Sequence, residues 1–262
     1  MATMYPEEID SIDGPTDGEI KVFKFLQEAA KPDKDFFCWY EPSIGIEGKS
    51  PDFVLLGRKF GLIAIEVKDW TLFQIKSANH LQFTVRISGE DEPRTNPDKQ
   101  AKGYVYALME RLKGIPGLTS TRAGFEGKLK IPIGRMIVFA NIHREEYLSS
   151  EVLPHLISPE RIFFQDDLDP AGKILSDPSG RLFMERIAPA FPFKLEPLTQ
   201  KEIDKLKNII YPELIQLPTR IGSGKSHFQK EVQALDDNQA RLARNLGRGI
   251  KLSRDRRDVV RL

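Results

Sequence analysis

Two apolar runs separated by a short basic turn make up most of residues 51–70, PDFVLLGRKFGLIAIEVKDW. Each run has the length and composition of a strand, and the turn at residues 57–59 predicts that the two strands pair as a hairpin. Charged residues nevertheless stand at the ends of these runs, with Asp52 at the start of the first and Glu66 and Lys68 at the end of the second. The segment therefore predicts an apolar β-hairpin that carries two acids and a lysine at its ends.

The flanking sequence predicts the elements around this hairpin. A capping box at Thr16 and Glu19 indicates the start of one helix, and Pro97 after Asn96 indicates the start of another. The predicted elements are helices at 20–30, 96–112, 180–188 and 199–210, strands at 36–40, 52–56, 60–67, 71–76, 81–87, 131–141 and 161–165, a turn cluster at 88–93 and a polar connector at 114–130. Their order favours a mixed α/β fold in which helices flank one sheet.

Composition excludes several classes of protein. The single cysteine, Cys38, rules out an internal disulfide framework and a multi-cysteine zinc site. The N-terminal sequence MATMYPEEIDSIDG is acidic and has no apolar core, so it is not a secretory signal. No apolar run is long enough to span a bilayer. The sequence therefore predicts a soluble, cytoplasmic protein without a membrane partner.

The charged residues of the hairpin predict a catalytic constellation. Side chains on a strand alternate between its two faces, so Glu66 and Lys68 share a face, and pairing of the strands brings Asp52 beside them. Two carboxylates suit Mg²⁺, which prefers few hard oxygen ligands, and a neighbouring lysine can position water and stabilise negative charge. This chemistry suits hydrolysis of a phosphodiester. The alternative is an exposed strand end with a common Glu–Lys pair.

These residues resemble a known family. Pro51-Asp52 followed after a hairpin by Glu66-x-Lys68 is similar to the PD-(D/E)xK nuclease superfamily. A helix that opens with Gly18-Glu19, the strands DFVLLGRKFGLIAIEVKDW and the later helix NPDKQAKGYVYAL resemble the NERD (nuclease-related) domain over roughly residues 14–140. The resemblance implies a restriction-endonuclease-like fold, with a mixed central sheet flanked by helices.

The resemblance also implies a role for individual residues. Asp52, Glu66 and the backbone carbonyl of Val67 correspond to metal ligands, and the metal would be Mg²⁺ or Mn²⁺. Lys68 corresponds to the lysine that orients the nucleophile. Glu19 corresponds to the glutamate of the leading helix, which faces the site and can reach the metal through water. The implied substrate is DNA.

Gln100 and Tyr104 complete the predicted site. They stand as Q-x-x-x-Y, four residues apart on one helix face, and resemble a motif of recombination nucleases that supports the site and its DNA. Each of these assignments has a structural alternative. Glu19 could serve only the capping box, and Gln100 and Tyr104 could be ordinary half-buried helix residues.

The C-terminal sequence is basic, with 11 Lys and Arg against 5 Asp and Glu from Thr219 to Leu262, while the net charge of the whole chain is +1. Such a segment fits either a solvated linker or contact with nucleic acid. The sequence GSGKS at 222–226 is not a phosphate-binding loop, because Thr219 stands where that motif requires glycine and no apolar strand precedes it.

A second resemblance lies in residues 235–249, LDDNQARLARNLGRG, which are similar to the segment before the Walker A strand of UvrD-like helicases. Gln239 corresponds to the residue that contacts adenine, but the phosphate-binding loop itself does not follow. NERD domains are found fused to such helicases, so a fused or separate helicase is the expected partner. We expect an N-terminal extension at 1–13, a nuclease-like domain at 14–215 with its core at 14–140, and a basic linker with a helicase-front remnant at 216–262.

Two functions of different classes follow from these features. The first is a divalent-metal-dependent nuclease that hydrolyses phosphodiester bonds in DNA. The second is a non-catalytic module of a helicase-associated system that binds nucleic acid or docks a protein. The candidate catalytic residues favour the first function, and the acidic charge of residues 1–218 favours the second.

Overall fold

The computed structural model describes residues 1–12, 14–31, 36–44, 50–121, 123–193 and 196–210. The basic linker and helicase-like segment predicted at 216–262, including Gln239, lie outside these ranges. Within them, no helix combines the length and the apolar character that crossing a membrane requires.

Nine strands and seven α-helices make up the described structure. The strands are β1 (Thr3–Tyr5), β2 (Phe36–Tyr40), β3 (Phe53–Gly57), β4 (Gly61–Lys68), β5 (Ile75–Ala78), β6 (Gln82–Ile87), β7 (Glu90–Thr95), β8 (Ile133–Phe139) and β9 (Ile162–Phe163). The helices are α1 (Asp17–Ala29), α2 (Pro97–Leu112), α3 (Arg144–Leu148), α4 (Leu153–Leu156), α5 (Lys173–Ser176), α6 (Arg181–Ile187) and α7 (Gln200–Ile210).

The central sheet has six strands in the order β1-β2-β3-β4-β8-β9. The pairs β2–β3 and β3–β4 are antiparallel, whereas β1–β2, β4–β8 and β8–β9 are parallel. The predicted mixed α/β fold with a helix-flanked sheet is therefore confirmed. The predicted hairpin is confirmed as β3 and β4, which occupy the middle of this sheet.

Helices cover both faces of the central sheet. On one face, α1 and α6 enclose a core with Phe53, Ile65 and Val67. On the other face, α2 and α7 enclose a core with Val54, Leu62, Ala64 and Tyr104. Coverage on both sides explains why β3 and β4 are almost continuously apolar rather than alternating. Because Val67 points toward α1, its neighbours Glu66 and Lys68 point toward α2.

The helix starts follow from their caps. The Thr16 side chain accepts a hydrogen bond from the Glu19 amide, and the Glu19 side chain accepts one from the Thr16 amide, so the predicted capping box is present. The Asn96 side chain accepts hydrogen bonds from the amides of Asp98 and Lys99, and Pro97 occupies the first position of α2. These contacts satisfy amides that have no partner inside the helix.

A second sheet of three antiparallel strands, β5-β6-β7, corrects two predictions. Residues 71–76 were predicted as a strand, but Leu72–Gln74 form a 3₁₀ turn that Thr71 caps, and the strand β5 begins only at Ile75. Residues 88–93 were predicted as a turn, but β7 begins at Glu90. The polar sequence EDEPRT can form this strand because β7 lies at an edge, where proline is tolerated.

Other predicted elements differ mainly in their ends. The strands predicted at 131–141 and 161–165 shorten to β8 and β9, and the helices predicted near 180–188 and 199–210 correspond to α6 and α7. The predicted N-terminal extension contributes β1, which pairs in parallel with β2. No element was predicted for β1 or for α3, α4 and α5, because three to five residues are too few to show a period.

Gly18 allows α1 to approach the end of β4 closely. A Cβ atom at this position would lie 1.7 Å from Oδ1 of Asp69 and 2.9 Å from Cβ of Ala140. Gly103 on α2 provides a matched control, because a Cβ atom there would meet nothing within 4 Å.

We expect Gly18→Ala to lower the free energy of unfolding by about 1–3 kcal/mol through overpacking. Gly103→Ala should raise it by up to about 1 kcal/mol, because alanine favours the helix. Urea denaturation of both variants tests this expectation. Equal effects of the two substitutions would contradict the close packing of α1 against Asp69.

Candidate active site

The candidate site lies at the open end of the β3–β4 hairpin. The last paired residues at this end are Phe53 and Ile65. Continuing the antiparallel register by one residue places Asp52 opposite Glu66, and opposite residues project to the same face. The structure therefore brings together the two acids that the sequence predicted as a pair.

A backbone hydrogen bond fixes Asp52 across this end. The amide of Val67 donates to Oδ2 of Asp52 over 2.5 Å. The N–H and C=O groups of a strand residue point to the same side, so the Val67 carbonyl also faces toward Asp52. The predicted contribution of this carbonyl to a metal site is compatible with that orientation.

Glu66 carries a carboxylate that is almost completely buried. Its side chain is only 1 % exposed, and Oε1 accepts a hydrogen bond from the ammonium group of Lys68. The second oxygen, Oε2, is buried without a hydrogen-bond partner. A buried carboxylate oxygen without a partner costs free energy that an additional partner would recover.

Burial shifts the titration of both acids. Desolvation, followed by repulsion from Glu66, raises the pKa of Asp52 from 3.8 to about 8, although the Val67 amide and Lys68 oppose the shift. Burial also raises the pKa of Glu66, against the opposing effects of Lys68 and Tyr104. Both shifts mean that one lysine does not compensate two buried negative charges. The site therefore favours an additional positive charge.

The helix α2 supplies the predicted Gln100 and Tyr104. Nε2 of Gln100 donates to the hydroxyl of Tyr104 over 2.7 Å, and Tyr104 acts to lower the pKa of Glu66. Tyr104 is also 2 % exposed and belongs to the core beneath α2. Tyr104 therefore lies beside Glu66 as a packed helix residue, and Gln100 reaches the site through Tyr104. Their supporting role stays a prediction.

Glu19 lies at the edge of the site. Its carboxylate accepts hydrogen bonds from the Thr16 amide at 2.8 Å and from the Tyr40 hydroxyl at 3.0 Å. Its negative charge contributes to the raised pKa of both Asp52 and Glu66. The carboxylate thus completes the capping box and also acts on the site electrostatically. Its contact with a metal remains a prediction.

Two aromatic residues support the site in ways that the sequence did not reveal. Tyr40 ends β2 and binds Glu19, but no motif marked it. Trp70 lies two residues after Lys68, and the Lys68 ammonium lies 5.6 Å from the centre of its ring. The strand period from Glu66 to Lys68 could have suggested Trp70 as a neighbour of the lysine, but tryptophan is more often a packing residue.

The donor set fits a divalent cation through two carboxylates. Asp52 and Glu66 offer hard oxygen ligands, and the unpartnered Oε2 atom of Glu66 could accept an ion without losing a hydrogen bond. Across the described ranges, no cluster of three or more His, Cys, Asp or Glu side chains is arranged to hold a metal. Water or substrate oxygens would have to complete the coordination, as is common for Mg²⁺.

Comparison with protein families identifies the segment that carries this geometry. Residues 15–140 match the family model of NERD, the nuclease-related domain. The match covers slightly less than half of the chain and contains all seven predicted site residues. Comparisons with curated proteins and with solved structures gave no significant match. The NERD resemblance is therefore confirmed for this segment, which supports a nuclease-related function.

The stability of the metal-free protein should fall as pH rises from about 4 toward about 8. Between these pH values Asp52 is protonated in the folded chain but ionised in the unfolded chain. Unfolding therefore releases a proton, and the free energy of unfolding falls as pH rises. Thermal melts in EDTA across this range test the expectation. Asp52→Asn should flatten the dependence, and an unchanged slope in that variant would contradict it.

Proposed function

We propose that the protein is a divalent-metal-dependent nuclease that hydrolyses phosphodiester bonds in DNA. The observation that supports this function best is the unpartnered oxygen of Glu66 beside Asp52, buried at a strand end within the NERD segment. A protein gains little stability from such an arrangement without a cation. The arrangement resembles the site of the PD-(D/E)xK nucleases, and we assign the segment to that superfamily as part of the proposal.

Some residues of the site would bind the metal ion, and others would position these ligands. Asp52 and Glu66 would hold Mg²⁺ or Mn²⁺ with the Val67 carbonyl, and Glu19 would act through water. The bound ion supplies Lewis-acid stabilisation of charge on the phosphate and activation of water. The Val67 amide holds Asp52 in place, and on the α2 side Gln100 binds Tyr104, which lowers the pKa of Glu66.

Lys68 is the group best placed to act on the reacting atoms. Its side chain is 17 % exposed, and its ammonium group pairs with the buried Glu66 carboxylate. In this position it can donate a hydrogen bond to the attacking water or to a phosphate oxygen, where it stabilises negative charge. The buried Trp70 ring lies 5.6 Å from this ammonium group, close enough for a cation–π contact.

A non-catalytic binding module is the second candidate function. Lys68 already neutralises one oxygen of Glu66, and the Val67 amide already satisfies Oδ2 of Asp52. In that case the acids would hold the end of the hairpin together rather than bind metal. For both candidate functions we propose a helicase, fused to this chain or separate from it, as the partner.

The nuclease function predicts loss of cleavage in three single variants. Asp52→Asn and Glu66→Gln remove a ligand charge, and Lys68→Met removes the ammonium group, so each should lower the cleavage rate at least about a hundredfold. Linear, circular and single-stranded DNA with Mg²⁺ or Mn²⁺ are the substrates, and EDTA should abolish cleavage. Glu185→Gln, at an exposed ion pair on α6, is the control.

Metal binding can be measured independently of cleavage. Mn²⁺ at a hundredfold excess over its dissociation constant should stabilise the protein by about 2.7 kcal/mol. Glu66→Gln and Asp52→Asn should lose most of this stabilisation, whereas Glu185→Gln should keep it. Intact DNA binding without cleavage or metal stabilisation in the native protein would favour the binding module instead.

A further inference from the structure

Tyr40 ends the strand β2, which pairs with the strand that follows Asp52. Its backbone lies opposite Phe53, and the amide of the next residue, Glu41, donates to the Asp52 carbonyl over 2.9 Å. The Tyr40 ring packs against Phe53 with 5.4 Å between the ring centres, and the residue is only 9 % exposed. Strand pairing and packing therefore fix this tyrosine beside the end of the hairpin that carries the acids.

The hydroxyl of Tyr40 bridges from this strand end to the helix α1. It donates to Oε2 of Glu19 over 3.0 Å, and the Thr16 amide donates to the same oxygen over 2.8 Å. Within the described ranges, no hydrogen bond or ion pair reaches the second oxygen, Oε1. Two donors thus fix one oxygen of a partly exposed carboxylate and leave the other available to a ligand.

Electrostatic repulsion opposes this position of Glu19. Its charge raises the pKa of both Asp52 and Glu66, so the three carboxylates are close enough to repel one another. The capping box at the start of α1 needs only the bond to the Thr16 amide. The bond from Tyr40 is therefore an additional restraint, which keeps Glu19 near two other acids where a bound cation would be stabilised.

We propose that Tyr40 is a positioning residue for a divalent cation. Its hydroxyl holds Oε2 of Glu19, so that Oε1 accepts a hydrogen bond from water on a cation bound at Asp52. The assignment rests on the proposed function, because it concerns the same metal site. Residues that orient the groups around a metal, without binding it themselves, typically change its affinity about 10- to 100-fold when they are substituted.

Tyr40→Phe tests this assignment, because it removes the hydroxyl and keeps the ring that packs against Phe53. Electron paramagnetic resonance of free Mn²⁺ measures Mn²⁺ affinity in the absence of DNA, and circular dichroism with thermal melts verifies folding. We expect Tyr40→Phe to weaken Mn²⁺ binding about tenfold. Glu19→Gln should weaken it at least as much while it keeps the capping box, in which glutamine also serves. An unchanged affinity in either variant would overturn the assignment.

The double variant Tyr40→Phe/Glu19→Gln distinguishes positioning from an independent effect of the tyrosine. If the hydroxyl acts through Glu19, the double variant should bind Mn²⁺ about as tightly as Glu19→Gln alone. A further tenfold loss in the double variant would show that the two residues act independently, which a merely structural role of Tyr40 would produce. That result would overturn the assignment.

Tyr147→Phe is the matched control. This buried hydroxyl donates to the backbone carbonyls of Leu153 and Ile157 over 2.8 and 2.7 Å, so the control also removes hydrogen bonds of a packed tyrosine. It should lower the free energy of unfolding and leave Mn²⁺ affinity unchanged. An equal loss of Mn²⁺ affinity in this control would mean general destabilisation and would overturn the assignment.

Cleavage assays separate this assignment from the proposed activity. If the native chain cleaves DNA, Tyr40→Phe should cleave more slowly at low Mn²⁺ and regain the native rate at saturating Mn²⁺, since the ligands themselves are intact. A loss of rate that persists at saturation would contradict the positioning role and leave the nuclease function standing. If no cleavage occurs but the Mn²⁺ affinities follow the expected pattern, the positioning role stands and the nuclease function fails. A native chain that binds no Mn²⁺ would overturn both.

Discussion

The burial of two carboxylates at one end of the β3–β4 hairpin is the constraint on which the site depends. Antiparallel pairing places Asp52 opposite Glu66, and burial raises the pKa of both. The Val67 amide and the Lys68 ammonium compensate part of this cost, but one oxygen of Glu66 keeps no partner. A fold that needed only stability would replace such a pair with apolar residues, so the arrangement favours a cation.

The surrounding elements hold this costly pair in place from both faces of the sheet. On the α2 side, Gln100 binds the Tyr104 hydroxyl, and Arg135 of β8 donates to Asp98 through bonds of 2.8 and 3.0 Å that fix the first turn of α2 on the sheet. On the α1 side, the missing side chain of Gly18 brings the capped start of the helix against Asp69. Packing thus fixes the position of each element that contributes a polar group.

Sequence reasoning could identify the hairpin and its acids because strand period and burial act over a few neighbouring residues. Asp52, Glu66 and Lys68 meet where the register predicts. The role of Tyr40 could not be predicted, because Tyr40 meets Glu19 only through the packing of β2 against α1. Trp70 follows the strand period from Lys68, but that spacing alone does not separate a contact with the lysine from core packing. Likewise β7 was assigned to a turn, since its polar sequence forms a strand only by pairing with β6.

The charges around the site explain how an acidic surface could still accept a polyanion. Asp52, Glu66 and Glu19 together repel phosphate, so a strand can approach only where cations outweigh them. Lys68 offers one such charge at the site. A divalent ion would reverse the local sign at the acids themselves. The distribution of charge near the hairpin end, rather than the net charge of the chain, therefore decides whether nucleic acid can bind.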